Sequence, residues 1–135
     1  MFNKMKKRFS KGFTLVEILV VLVIVAILAG LAFVSYRNYV DKAYNTEATV
    51  ALKEISGASE MYEATHGGQQ TTLDGLEQKG LVDVVDALKR KWKFEISGEI
   101  FTATSSDEMD GGAGHEVRFD RSTGEYSGYG FEATE

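Results

Sequence analysis

Residues 12 to 34 read GFTLVEILVVLVIVAILAGLAFV, an apolar run that holds a single carboxylate, Glu17. From Phe13 to Val34 the run has 22 residues, which is about 33 Å of helix and enough to span a bilayer. A charged side chain in such a segment costs roughly 2.5–3.5 kcal/mol at the helix centre and less near an end, so it is usually retained for function. Glu17 is therefore the first candidate functional residue.

A short basic leader precedes the apolar run. It contains no acidic residue before Gly12 and five basic ones, Lys4, Lys6, Lys7, Arg8 and Lys11. Cationic flanks stay on the cytoplasmic side of a membrane, so the N-terminus is predicted to remain inside and the chain after the span to be exported. An ordinary secretory signal peptide is the alternative, but its apolar region is shorter, and no obvious small-residue cleavage site follows this run.

The stretch KGFTLVEILVVLVIVAILAG resembles the N-terminal signature of the type IV pilin superfamily, and the resemblance extends from Lys11 to about Tyr39. In that family a basic leader ends in Gly, the next residue is a Phe that becomes the mature N-terminus, and a Glu stands at the fifth mature position. The resemblance implies cleavage between Gly12 and Phe13 by a prepilin peptidase, N-methylation of Phe13, and a Glu17 that meets the α-amino group of a neighbouring subunit. Among apolar helices, a carboxylate and an ammonium that neutralise one another also fix axial register.

The resemblance also implies the partners and the location of the chain. The partners are identical or homologous pilin subunits, the prepilin peptidase/N-methyltransferase, an inner-membrane assembly platform and, before assembly, membrane lipid. We expect a single-pass inner-membrane protein with a cytoplasmic N-terminus, which then becomes part of a periplasmic or cell-surface filament.

The predicted function is that of a structural subunit of a type IV pilus-like filament for adhesion, motility or related surface functions. One alternative is a pseudopilin of a type II secretion or DNA-uptake system, and another is a single-pass anchored periplasmic enzyme or binding protein. No catalysis and no cofactor are predicted, because His66 and His115 lie in or beside Gly-rich loops without the spacing of a nucleophile pair or a metal site.

Composition restricts the exported part further. Without residues 1–12, the chain has ten basic and 20 acidic residues, and therefore a net charge of about −10. This negative charge disfavours direct binding of nucleic acid. The chain has no cysteine and no proline. It therefore departs from the many pilins that close a C-terminal loop with a disulfide, and its head must be held by its core.

The chain is predicted to comprise a removed leader (1–12), an anchor helix (13–38), an amphipathic half of the same helix (39–66), a variable connection with one or two helical turns (67–91) and a sheet region (92–135). Many pilins carry Gly and Pro where Ala26 and Val34 stand, so this helix is predicted to be more continuous, from about Thr14 to about Thr65. The Gly67-Gly68 pair would end it. Its amphipathic half presents one apolar stripe at helical spacing, made of Tyr44, Ala48, Ala51, Leu52, Ile55, Ala58 and Tyr62.

From Trp92 onwards, apolar residues recur at every second position, in the segments WKFEIS, IFTATS, EVRFD and EYSGYGF. This predicts three or four antiparallel strands, with Gly98 and Gly124 supplying the positive φ of two tight turns. The predicted fold class is α+β, a long N-terminal helix packed on a small antiparallel sheet. The apolar face of that sheet would consist of Trp92, Phe94, Ile96, Phe101, Val117 and Phe119.

Two charged clusters in the head are candidate sites. Asp107, Glu108 and Asp110 lie in the Gly-rich stretch SSDEMDGGAG and could wrap calcium, but the spacing is not that of an EF-hand, so a solvated turn is favoured and no metal is predicted. The positive cluster consists of Lys89, Arg90, Lys91 and Lys93. We interpret it as a solvent-exposed surface, and the alternative is a contact with an acidic surface of a neighbouring subunit.

Overall fold

The structure, a computed structural model, describes residues 12–131. The basic residues of the predicted leader and the last four residues of the predicted sheet region lie outside this range. The described elements, in chain order, are α1 (Leu15–Thr65), α2 (Leu73–Gln78), α3 (Asp86–Lys91), β1 (Trp92–Ser97), β2 (Ile100–Ser105), β3 (Glu116–Asp120) and β4 (Glu125–Gly128). The predicted α+β class is confirmed, with four strands.

The chain forms two compact units, and the boundary between them falls after Tyr36, inside α1. In the first unit the large apolar side chains of α1 are all about half exposed or more, from 48% for Val20 to 81% for Leu15. Within the described residues, α1 is the one helix long and apolar enough to cross a membrane. So much exposed apolar surface requires lipid or other apolar helices around it.

The second unit, called the head here, is built on the remainder of α1. The predicted apolar stripe is confirmed, since its aliphatic members are buried and its two tyrosines are partly buried against them. The helix ends where predicted: Gly67 and Gly68 have φ of 64° and 83°, and the N–H of Gly68 donates to the carbonyl of Glu63 at 2.8 Å. A left-handed glycine end of this kind satisfies carbonyls that the helix leaves open.

The four strands form an antiparallel meander in the order β1-β2-β3-β4. Directly paired residues share a face, and the pairing of Phe101 with both Ile96 and Phe119 aligns the six predicted apolar residues on one side. Trp92, Phe101 and Val117 are buried there, while the other three are partly buried. This face packs on the α1 stripe and forms the core.

Two segments outside the sheet complete the core. In the connection, Leu73 and Leu76 of α2 and the nearby Val84 are buried, so the predicted short helical turns are present and carry core residues. Thr72 is the N-cap of α2, and its hydroxyl accepts a hydrogen bond from the N–H of Gly75. Met109, from the loop after β2, is also buried. The loop between β2 and β3 therefore contributes packing as well as turns.

Candidate functional site

The N-terminal site is organised by a reciprocal pair of hydrogen bonds at the start of α1. The N–H of Thr14 donates to Oε2 of Glu17 at 3.0 Å, and the N–H of Glu17 donates to the hydroxyl of Thr14 at 3.2 Å. This is a capping box, in which each side chain satisfies an N–H that the first turn of a helix leaves open. Glu17 thus holds the helix start in its own chain.

The same carboxylate keeps capacity for a second partner. An ionised carboxylate offers about four lone-pair sites on two oxygens, and within the described chain Glu17 accepts one hydrogen bond, at Oε2. The acid also lies near the positive end of the helix dipole, where negative charge is favoured. Glu17 therefore has acceptor sites left for a further hydrogen-bond donor while the capping box is kept.

The peptide bond between Gly12 and Phe13 lies outside the helix. Both residues are in irregular, exposed backbone, and Phe13 is 86% exposed. A methyl group built on Gly12 would meet no atom of the described chain within 4 Å, so the space beside Gly12 is open. Gly12, Phe13 and Glu17 lie within six residues of one another at the beginning of α1; their roles in cleavage, methylation and assembly stay predictions.

A charged network holds the end of α1 to the sheet in the head. The Arg121 guanidinium donates to both oxygens of Glu63, at 3.0 and 3.1 Å, and to both oxygens of Glu99, at 2.7 and 3.0 Å. Bidentate pairs of this type are strong and directional. The hydrogen bonds from Arg121 are the main reason that the pKa of Glu63 is lowered to about 2. Gln70 extends the network, because its amide bonds Glu63 and the backbone of Gly98.

The C-terminal loop is closed onto α1 by hydrogen bonds. The Tyr129 hydroxyl donates to Oδ1 of Asp41 at 2.7 Å, and the Asn45 amide donates to the carbonyl of Tyr129 at 2.6 Å. Burial and the bond to Asp41 raise the pKa of Tyr129. At Gly130 the φ is +77°, and a methyl group built there would lie 2.6 Å from Nδ2 of Asn45. Glycine is required at this turn.

In the acidic loop, the carboxylates of Asp107, Glu108 and Asp110 do not converge on one point. The Asp110 carboxylate accepts from the Tyr44 hydroxyl at 3.0 Å, and Glu108 lies 3.7 Å from the guanidinium of Arg90. Asp107 is exposed, whereas the side chain of Met109, between Glu108 and Asp110, is buried in the core. Across residues 12–131, no group of three or more His, Cys, Asp or Glu side chains is placed to hold a metal ion.

Each member of the basic cluster has a carboxylate in its own chain. Lys89 pairs with Glu77 at 3.0 Å, and these contacts raise the pKa of Lys89. The remaining pairs are Arg90 with Glu108, Lys91 with Glu47 and Lys93 with Glu95. The positive charge that the sequence suggested as a patch is therefore compensated locally.

Both histidines contribute to local packing. His66 stacks on Tyr62 with ring centroids 3.8 Å apart, and His115 stacks on Tyr129 at 4.2 Å. Nε2 of His115 also lies 3.0 Å from the carbonyl of Gly111. These contacts fix two turns, one at the end of α1 and one beside the C-terminal loop.

The comparison with known families finds a match at the N-terminus of the chain. Residues 7–33 match the family model described as the prokaryotic N-terminal methylation motif. This motif is the signature of type IV prepilins and pseudopilins, and the chain carries it at the start of a long helix packed on a four-stranded antiparallel sheet. Comparison with curated proteins and with solved structures gave no match.

Proposed function

We propose that this chain is the structural subunit of a type IV pilus-like filament for adhesion, motility or related surface functions. The observation that carries the proposal is the sequence of features at the N-terminus. An exposed Gly12–Phe13 bond is followed at once by an exposed apolar helix whose first turn holds one carboxylate, Glu17. The methylation motif covers the same residues.

The first step in the proposed function is processing at the cytoplasmic membrane face. A prepilin peptidase cuts after Gly12, and the α-amino group of Phe13 becomes the new N-terminus and is then methylated. Methylation of an amine retains its positive charge. The mature subunit therefore carries one cation at its N-terminus, four residues before the Glu17 carboxylate.

The second step is transfer from lipid into the filament. The apolar half of α1 leaves the bilayer and is covered by the same helices of neighbouring subunits, which replace lipid as its apolar surroundings. The Phe13 ammonium of one subunit meets the Glu17 carboxylate of another. In apolar surroundings either charge alone is expensive, so the pair selects the axial positions at which both are satisfied.

Processing is tested by the intact mass and the N-terminal sequence of the mature protein. We expect a mature chain that begins at Phe13 and carries one additional methyl group. Gly12→Val should block cleavage because the peptidase needs a small residue there, while the matched variant Gly12→Ala should still be cut. A mature chain that begins at a residue other than Phe13 would overturn the proposal.

The location of the filament is tested separately. Filaments sheared from the cell surface that contain this chain as their principal component would support a pilus. If deletion of the gene instead leaves exported enzymes in the periplasm and no surface fibre is lost, the subunit belongs to a secretion pseudopilus.

A further inference from the structure

An apolar groove of about 480 Å³ runs along the head between α1 and the segment that leads into α3. Two valines on opposite sides of it, Val50 and Val85, are 54% and 63% exposed. Exposed apolar side chains that line a concave surface usually mark a site of interaction. The groove is lined by Ala43, Val50, Ala51, Val84, Val85 and Leu88, with polar residues at its rim.

The rim of the groove carries uncompensated negative charge. Glu54 on α1 and Asp83 before α3 are both exposed, and neither has a hydrogen-bond or ion-pair partner within residues 12–131. By contrast, Glu47 on the same rim is paired with Lys91 at 3.8 Å. Two free carboxylates beside an apolar floor favour an occupant that combines an apolar side chain with a cation.

The chain itself presents such a surface on α1, in residues 33–42, which we call the collar. Phe33, Tyr36 and Tyr39 are 63%, 66% and 74% exposed. Arg37 lies between Tyr36 and Tyr39, and Lys42 follows them; neither cation forms an ion pair in the described part of the chain. The collar therefore has large aromatic side chains and two cations that form no ion pair within residues 12–131.

We propose that the groove of one subunit receives the collar of a second copy of this chain, with Arg37 facing Glu54 and Asp83. Aromatic and basic residues next to a membrane span are covered by lipid headgroups, and this cover is lost when the subunit leaves the bilayer. A contact between two different surfaces of identical chains is heterologous, so it repeats without closing and produces a helical array. The inference rests on the proposed filament function.

Engineered cysteines test the contact. The natural sequence contains no cysteine, so any disulfide between subunits must come from the introduced residues. Tyr36→Cys and Val85→Cys are introduced together into the full precursor, filaments are sheared from the cells, and mild oxidant is added. We expect disulfide-linked ladders of subunits, since a disulfide requires Cα atoms within about 7 Å. The matched pair Tyr36→Cys with Glu95→Cys places the second thiol on an exposed position of β1 and should remain monomeric.

A charge exchange tests the same contact in chains without new thiols. Arg37→Glu should reduce the yield of filaments about tenfold, because it sets three carboxylates against one another. Adding Glu54→Arg should restore most of the yield, while Lys79→Glu, which reverses a cation outside the collar, should leave the yield unchanged.

The outcomes separate this inference from the proposed function. Filaments that form normally but give no Tyr36–Val85 ladder, or that tolerate Arg37→Glu, overturn the contact between the collar and the groove and leave the filament function intact. A natural chain that never enters a filament overturns both.

Discussion

Replacement of Arg121 by Met should destabilise the head through loss of the network with Glu63 and Glu99. The side chains of Arg121 and Glu63 are only 17% and 19% exposed, so Glu63 would lose its main partner in a poorly solvated position. Hydrogen bonds to charged groups contribute about 1.5–3 kcal/mol, and a partly buried charge without its partner is costly. We expect the free energy of unfolding to fall by about 2–3 kcal/mol.

The assay uses the single tryptophan of the chain. Trp92 is 1% exposed in the core of the head, so its fluorescence reports unfolding of the head during urea titration of the mature protein in detergent. The matched control is Arg118→Met on β3, where the Arg is 59% exposed and pairs with Glu116 on the surface. Exposed pairs contribute about 1 kcal/mol or less, so this variant should unfold close to the natural protein.

The pH dependence gives a second readout of the same network. The pKa of Glu63 is lowered from 4.5 to about 2 in the folded head, so the folded state binds protons less readily than the unfolded chain. The stabilisation is therefore complete above about pH 4.5 and is lost as the pH falls towards 2. Arg121→Met should flatten this acid dependence. An unchanged slope, or equal effects of the Arg121 and Arg118 substitutions, would refute the reasoning.

Three further predictions concern the anchor and the C-terminal loop. Glu17→Ala should leave membrane insertion intact and abolish assembly, so that membrane fractions contain the mature protein and electron microscopy finds no filaments; normal filaments would assign the carboxylate another role. Helix α1 should remain helical between Ala26 and Val34 in a filament, and an extended stretch there in a filament map would contradict this. Tyr129→Phe should lower the free energy of unfolding by about 1 kcal/mol through loss of the hydrogen bond to Asp41. A urea titration followed by Trp92 fluorescence measures this change, and an unchanged free energy of unfolding would show that the bond contributes nothing.

The elements of the fold were predictable because each has a local signal. The change of apolar period at Trp92 marks the first strand, and the glycines at 67, 68, 98 and 124 mark the end of α1 and two turns. The stripe from Tyr44 to Tyr62 identifies the buried face of α1. In each case residues close in sequence determine the result, so periodicity and turn chemistry were sufficient.

Other features depend on partners that are distant in sequence. The pairing of Arg121 with Glu63 joins residues 58 positions apart, and no local pattern distinguishes that arginine from Arg118, which stays on the surface. Ala103 is fully buried, but a small residue between two threonines gives a weak apolar signal. The capping box is different, because Thr14 and Glu17 have the required spacing in the sequence, but Glu17 was assigned only to assembly.

Under the proposed function the head is exported, and its closure onto Asp41 and Asn45 then has a consequence for the order of events. Tyr129 meets these residues across 88 and 84 positions of sequence, so the contact forms only after the chain as far as Tyr129 has crossed the membrane. Contacts of such long sequence separation are slow to form. Since hydrogen bonds make the closure, it needs no oxidant and no disulfide isomerase. Under the proposed function, the head therefore cannot close onto α1 before translocation has reached Tyr129.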